Sequence, residues 1–126
     1  MARILIIDDD EQIRTMLQQM FEREGYEAAA AADGRIGIRL YKENPADVVI
    51  TDIIMPEKEG IETIRELKRD YPDVRIIAMS GGGRIGPENY LKIARGLGAE
   101  KTLTKPVERK TLLAAVRDVL ENPKSK

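Results

Sequence analysis

Residues 3–10 read Arg3-Ile4-Leu5-Ile6-Ile7-Asp8-Asp9-Asp10. Four aliphatic residues in succession, with no polar position between them, describe a strand covered on both faces. Such strands belong to parallel sheets flanked by helices. The same grammar recurs along the chain. Val48-Val49-Ile50-Thr51 runs into Asp52, Ile76-Ile77-Ala78-Met79 into Ser80, and Lys101-Thr102-Leu103-Thr104 into Lys105-Pro106. In an open parallel sheet, the carboxyl ends of the strands face one crevice where the strand order reverses. That edge would gather several carboxylates, one hydroxyl and one ammonium, an inventory suited to holding Mg²⁺ and a phosphoryl group together.

The segments between these strands carry helical spacing. Ile13, Met16, Leu17, Met20 and Phe21 form an apolar stripe with charges opposite, and Gly25 closes that helix. Arg35–Glu43 reads as a second helix with Ile36, Leu40 and Tyr41 inward, stopped by Asn44-Pro45. Gly60–Asp70 is a third, with Ile61, Ile64 and Leu67 apolar, and Glu88–Leu97 a fourth, with Pro87 in its first turn and Gly98 as its cap. Glu108–Leu120 is the last, with Leu112, Leu113, Val116 and Leu120 inward. Tyr26–Ala32 is alanine-rich and would suit a helix by propensity. It lies between two helices, bounded by Gly25 and Asp33-Gly34, and is read as a short second strand with small side chains. Alternating strands and helices predict an α/β, doubly wound, five-stranded parallel sheet with right-handed crossovers and helices on both faces.

Composition narrows the chemistry. The chain has 126 residues, ordinary for one domain, and 42% are hydrophobic but only 4% aromatic, so the core is aliphatic. The net charge of -1 implies no broad basic surface and argues against direct nucleic-acid binding. Cysteine and histidine are both absent, which excludes disulfides, thiolate sites, imidazole ligands and any phosphohistidine supplied by this chain. No apolar run approaches the ~20 residues of a membrane span, so no membrane insertion is expected. Met1-Ala2-Arg3 leads straight into a strand without a signal peptide, and a cytoplasmic location is expected. Residues 1–121 are read as one domain, and 122–126 as a polar C-terminal tail.

The acidic run has two readings. Aspartate near a helix start satisfies free N–H groups and complements the dipole, and Asp10 suits that role. Three adjacent acids exceed what capping needs. Like charges this close resist ionisation unless a cation joins them, and Mg²⁺ is the fitting ion. Asp52 is either a loop residue after a strand or a carboxylate beside Asp8 and Asp9. In the second case it can ligate metal or attack phosphorus to form an acyl phosphate. Ser80 and Lys105 are unremarkable singly, but together they offer a hydroxyl and a compact cation for phosphoryl oxygens.

With these residues in view, the chain resembles a bacterial two-component response regulator receiver domain from end to end. The matching pieces are Ile6-Ile7-Asp8-Asp9-Asp10, Thr51-Asp52-Ile53-Ile54-Met55-Pro56, Met79-Ser80-Gly81 and Thr104-Lys105-Pro106. The resemblance implies the flavodoxin-like strand order 2-1-3-4-5, with Asp52 as phosphoacceptor. It implies Asp8, Asp9, Asp52 and the carbonyl of Ile54 as Mg²⁺ ligands. It further implies Ser80, Gly81 and Lys105 at the phosphoryl group, and a cis bond at Lys105-Pro106. Its implied partners are a histidine protein kinase or histidine phosphotransfer protein, and a downstream effector protein or fused effector domain. Self-phosphorylation and slow self-dephosphorylation would be the only chemistry, so it would not be a true enzyme.

Two features depart from the family pattern. Thr102 stands where the family usually carries Tyr or Phe on the fifth strand, so switching through Ser80 and Thr102 needs another device. The loop Gly81-Gly82-Gly83-Arg84-Ile85-Gly86-Pro87 is glycine-rich and longer than usual, which suggests that it and the fourth helix form the switch. That loop also matches G-x-G-x-x-G, with Glu100 roughly the right distance on, so a nucleotide-binding fold is one alternative. Against it, the motif follows the fourth strand rather than the first, and it leaves Asp8, Asp9, Asp52 and Lys105 unexplained. A receiver-like interaction module that is never phosphorylated is another. A phosphohydrolase with an Asp nucleophile is a third, but Ile54 offers no acid for the leaving group.

Overall fold

The computed structural model describes residues 2–53, 59–81 and 87–121, with backbone alone for 59 and 87–91. The turn at Met55-Pro56, the Ile54 carbonyl, loop residues 82–86 and the tail 122–126 lie outside the described residues. The elements alternate as β1 (Arg3–Ile7), α1 (Glu11–Arg23), β2 (Glu27–Ala31), α2 (Gly34–Glu43) and β3 (Val48–Asp52). They continue as α3 (Glu59–Asp70), β4 (Ile76–Ser80), α4 (Pro87–Gly96), β5 (Lys101–Thr104) and α5 (Arg109–Glu121). The five strands form one sheet in the order β2-β1-β3-β4-β5, and every pairing is parallel. This is the expected doubly wound, flavodoxin-like architecture.

The strand alternation builds two cores from one set of aliphatic runs. Ile4, Ile6, Val48, Ile50, Ile77 and Met79 face α1 and α5, meeting Leu17, Phe21, Leu112 and Val116. Leu5, Ile7, Val49, Ile53, Ile76 and Ala78 face the other way, toward Ile64, Leu67 and Ala94 of α3 and α4. Strands β3 and β4 are buried at every position, the polar residues Thr51, Asp52 and Ser80 at their ends included. The alanines of β2 pair with β1 residue for residue, so the ambiguous segment is a strand because it has a ladder to join.

Helix boundaries follow local chemistry. Asp10 caps α1, accepting from the N–H groups of Gln12 and Ile13. Asp33 caps α2 through the N–H of Ile36 at 2.9 Å. Gly25 and Gly98 take positive φ, 91° and 113°, just beyond α1 and α4, where a side chain would strain the backbone.

The inward faces read for α2 and α5 pack on the two cores, and one position of α1 differs. Met16 is 58% exposed although Leu17, Met20 and Phe21 beside it are buried. It sits at the edge of the apolar arc, beyond what one helix face presents to a sheet. In α2, Tyr41 is buried against Tyr71 at a ring distance of 5.0 Å, while Ile36 and Leu40 are half-buried. In α5, Ala115 and Val119 join Leu112 and Val116 in the core, leaving Leu113 and Leu120 half-buried.

Candidate functional site

The carboxyl ends of β1, β3, β4 and β5 meet at one edge of the sheet, and each delivers one polar group. Asp8 follows β1 and is fully buried, Asp52 ends β3 at 5% exposure, and Ser80 ends β4 with no exposed surface. Lys105 follows β5, and its ammonium lies 3.1 Å from Asp8 Oδ2 and 3.0 Å from Asp52 Oδ2. The cation therefore bridges two buried carboxylates whose mutual repulsion it offsets. Burial opposes the charged ammonium. Its hydrogen bond to Asp52, with the charges of Asp52 and Asp8, outweighs this and holds the pKa above the ordinary 10.5.

The backbone around these groups is fixed. Asp8 Oδ1 accepts from the N–H of Asp10 at 2.9 Å, and its carbonyl accepts from the Arg14 guanidinium at 2.8 Å. Lys105 N donates to the Ser80 carbonyl at 3.0 Å, extending the β4–β5 ladder to the site itself. The stem of Lys105 crosses directly over Gly81, where a Cβ would lie 2.6 Å from Lys105 Cβ. The Lys105–Pro106 peptide bond is cis.

Carboxylate oxygens of Asp8, Asp9 and Asp52 lie within 4.8 Å of one another. Asp9 is exposed, so the cluster has one side open to solvent. Hard oxygen donors with room for water suit Mg²⁺, and the donor set fits that ion. Ser80 Oγ is buried and has no hydrogen-bond partner among the described residues. A buried hydroxyl left unmatched is costly and marks a place where a further acceptor or donor belongs. Beside these groups runs a cleft of about 490 Å³ whose walls include Ile13, Met16, Leu17, Val107 and Leu112, and which reaches Asp52, Gly81 and Lys105.

The family model for the response regulator receiver domain matches residues 4–117. The chain belongs to the response regulator receiver family. It is 35% identical over 118 residues to the chemotaxis protein CheY of Halobacterium salinarum, covering 94% of this chain and 96% of that protein. It is 30% identical over 120 residues to the transcriptional regulatory protein CpxR of Klebsiella pneumoniae, covering 95% of this chain but 50% of that longer protein. A response regulator receiver domain from Clostridium thermocellum superposes with a TM-score of 0.88 at 32% identity, covering 96% of this chain and 95% of the other. The protein is thus a receiver domain of the two-component type, a phosphoacceptor signalling domain rather than a classical enzyme. Receiver domains generally bind Mg²⁺ at an acidic pocket, and the cluster of Asp8, Asp9 and Asp52 is a group that could hold such an ion. Among the described residues no helix is long and apolar enough to cross a membrane.

The receiver geometry brings together Asp8, Asp9, Asp52, Ser80, Gly81 and Lys105, all of them legible in the sequence. Thr102 lies apart, half-buried on β5, where its Oγ1 accepts from Arg95 Nη2 of α4 at 3.3 Å. The nucleotide-binding alternative loses its acid. Glu100 Oε1 accepts from the N–H of Ile76 at 2.8 Å, at the start of β4, and Glu100 Oε2 pairs with Lys68 at 3.3 Å. That is the opposite end of β4 from the loop after Ser80. Two contacts escaped the sequence reading. Arg14 holds the end of β1, and Gly60, at the start of α3, touches the backbone of Asp52 and Ile53. A glycine inside a helical pattern was the available signal for the second; the first had none, because a long side chain on α1 can reach many acceptors.

Proposed function

We propose that Asp52 accepts the phosphoryl group. The observation that carries this is the buried Asp52 carboxylate, bridged to Asp8 through one lysine at the mouth of an open cleft. An Asp52 oxygen attacks phosphorus in line, the P–N bond of a partner phosphohistidine breaks, and the imidazole leaves with the electron pair. Lys105 moves from the carboxylates to the phosphoryl oxygens, where a compact cation offsets the developing charge. Ser80 Oγ and the Gly81 N–H then donate to the new phosphoryl group, giving the unmatched hydroxyl its partner. Asp8, Asp9, Asp52 and the Ile54 carbonyl would hold Mg²⁺, which would neutralise phosphoryl charge at this edge.

The donor in this reading is a histidine protein kinase or histidine phosphotransfer protein, since this chain has no histidine. It docks along α1, where Ile13, Met16 and Leu17 line the cleft beside the site. Residues 1–121 form the receiver unit, with 122–126 as a tail, in a cytoplasmic setting. Ser80 binding biases a pre-existing equilibrium and changes the surface of α4 and β5, through Thr102, for a downstream effector protein or fused effector domain.

Intact-mass spectrometry after incubation with Mg²⁺ and acetyl phosphate tests the assignment. The parent is expected to gain one phosphoryl group and Asp52→Ala none. A parent that binds Mg²⁺ but gains no mass would make it an unphosphorylated interaction module.

A further inference from the structure

Gly60 is the second residue of α3, buried against the end of β3. Its φ lies outside the positive region, so its backbone is one that any residue can adopt. What excludes a side chain is space. A Cβ built there would overlap the carbonyl oxygens of Asp52 and Ile53 and the Cα of Ile53. All three are backbone atoms, which cannot swing aside as the tip of a side chain can.

Those backbone atoms are themselves held. Ile53 N donates to the Met79 carbonyl at 2.8 Å, and the Ile53 side chain is 1% exposed in the core beneath α3. Thr51 Oγ1 donates to the Asp52 carbonyl at 3.2 Å. On the helix side, Ile64 and Leu67 are fully buried and tie α3 to the same core. A methyl group at position 60 must therefore push either the helix or the Asp52–Ile53 peptide. The carboxylate that meets Lys105 leaves the chain at that peptide.

We infer that Gly60 is a positioning residue for Asp52: its bare Cα lets α3 rest on the end of β3 and fixes the direction of the Asp52 carboxylate. The inference rests on Asp52 being the acceptor. Gly37 supplies an internal control. It too is a buried helical glycine, but a Cβ there would overlap the Ile7 side chain, with its Cγ1 at 2.7 Å and Ala31 Cβ at 3.7 Å, and no backbone atom is among its three nearest neighbours.

The test compares the parent, Gly60→Ala and Gly37→Ala, reading the rate of labelling by acetyl phosphate, Mg²⁺ affinity by calorimetry, and the Asp52 and Ile53 amide resonances. Gly60→Ala is expected to slow labelling roughly tenfold to a hundredfold, weaken Mg²⁺ binding and shift both resonances, while Gly37→Ala, which presses on a side chain of β1, leaves the Asp52 and Ile53 resonances in place. Labelling within about twofold of the parent would overturn the inference and leave the acceptor assignment standing. A parent that takes no label would remove the acceptor assignment and this inference with it. If Gly60→Ala is poorly folded, trimethylamine oxide restores the compact state. Parent-like labelling on refolding would then show that Gly60 serves stability alone, whereas slow labelling in the refolded variant sustains the positioning role.

Discussion

Lys105 Nζ lies 3.0 Å from Asp52 Oδ2, joining residues 53 positions apart. The same ammonium holds Asp8 at 3.1 Å, so one cation serves two carboxylates with almost no access to water. This contact stabilises the resting domain and competes with any other cation for the same oxygens. Both consequences are measurable.

Lys105→Met leaves Asp8 and Asp52 facing each other without a counter-charge. A loss on the order of 3 kcal/mol is expected without metal. Mg²⁺ should restore more stability to the variant than it adds to the parent, because binding to the folded state alone is linked to stability. Thermal unfolding with and without Mg²⁺ checks this; equal metal effects on both proteins would contradict it.

The same contact has a pH signature. The Lys105 pKa is raised in the folded protein, so its contribution is fully present below about pH 10.5 and is lost as pH rises through the higher folded value. The difference in unfolding free energy between parent and Lys105→Met should shrink as pH rises through that alkaline window. Tyr41, also shifted upward by burial, is common to both proteins and cancels in the difference.

Ser80→Ala separates resting stability from signalling. The hydroxyl is buried without a partner among the described residues, so its removal should leave stability unchanged or raise it by about 1 kcal/mol. Phosphorylated Ser80→Ala should show weaker changes in hydrogen exchange over residues 87–97 than the phosphorylated parent. A clear drop in melting temperature on substitution would show that the hydroxyl already has a partner in solution.

Thr102→Val keeps the shape of the side chain and removes the acceptor for Arg95. Labelling by acetyl phosphate should be unchanged, because Thr102 lies apart from the carboxylates. Exchange at α4 in the resting protein should rise, and the phosphorylation-dependent change there should shrink. Unaltered exchange in both states would remove Thr102 from the switch.

The acyl phosphate should persist for minutes or longer. Ile54 and Gly82, two positions after Asp52 and Ser80, carry no polar side chain to orient water. Loss of label within seconds, followed by mass, would show that another group activates water.

The parts of the site that lie at strand ends were readable because strand position is a local property. Ile4–Ile7, Val48–Thr51 and Ile76–Met79 announce buried strands, and whatever follows each must emerge at the same edge. Met16 was harder, since a helix stripe shows which arc is apolar but not how wide an arc its neighbours cover. Glu100 fitted a nucleotide motif by spacing, yet pairing places it at the far end of the sheet, on the Ile76 N–H.

Sequence alone determined the fold class, the two-sided burial of the central strands, the cap at Asp10, and which polar groups share the crevice. These depend on runs, periods and termini within a few residues of one another. Tertiary structure alone decided that Lys105 bridges Asp8 and Asp52, that Ser80 is buried without a partner among the described residues, and that Gly60 lies on the Asp52–Ile53 backbone. Those facts depend on distances of a few ångströms between segments tens of residues apart. They are set by strand register and helix packing, which no local pattern encodes.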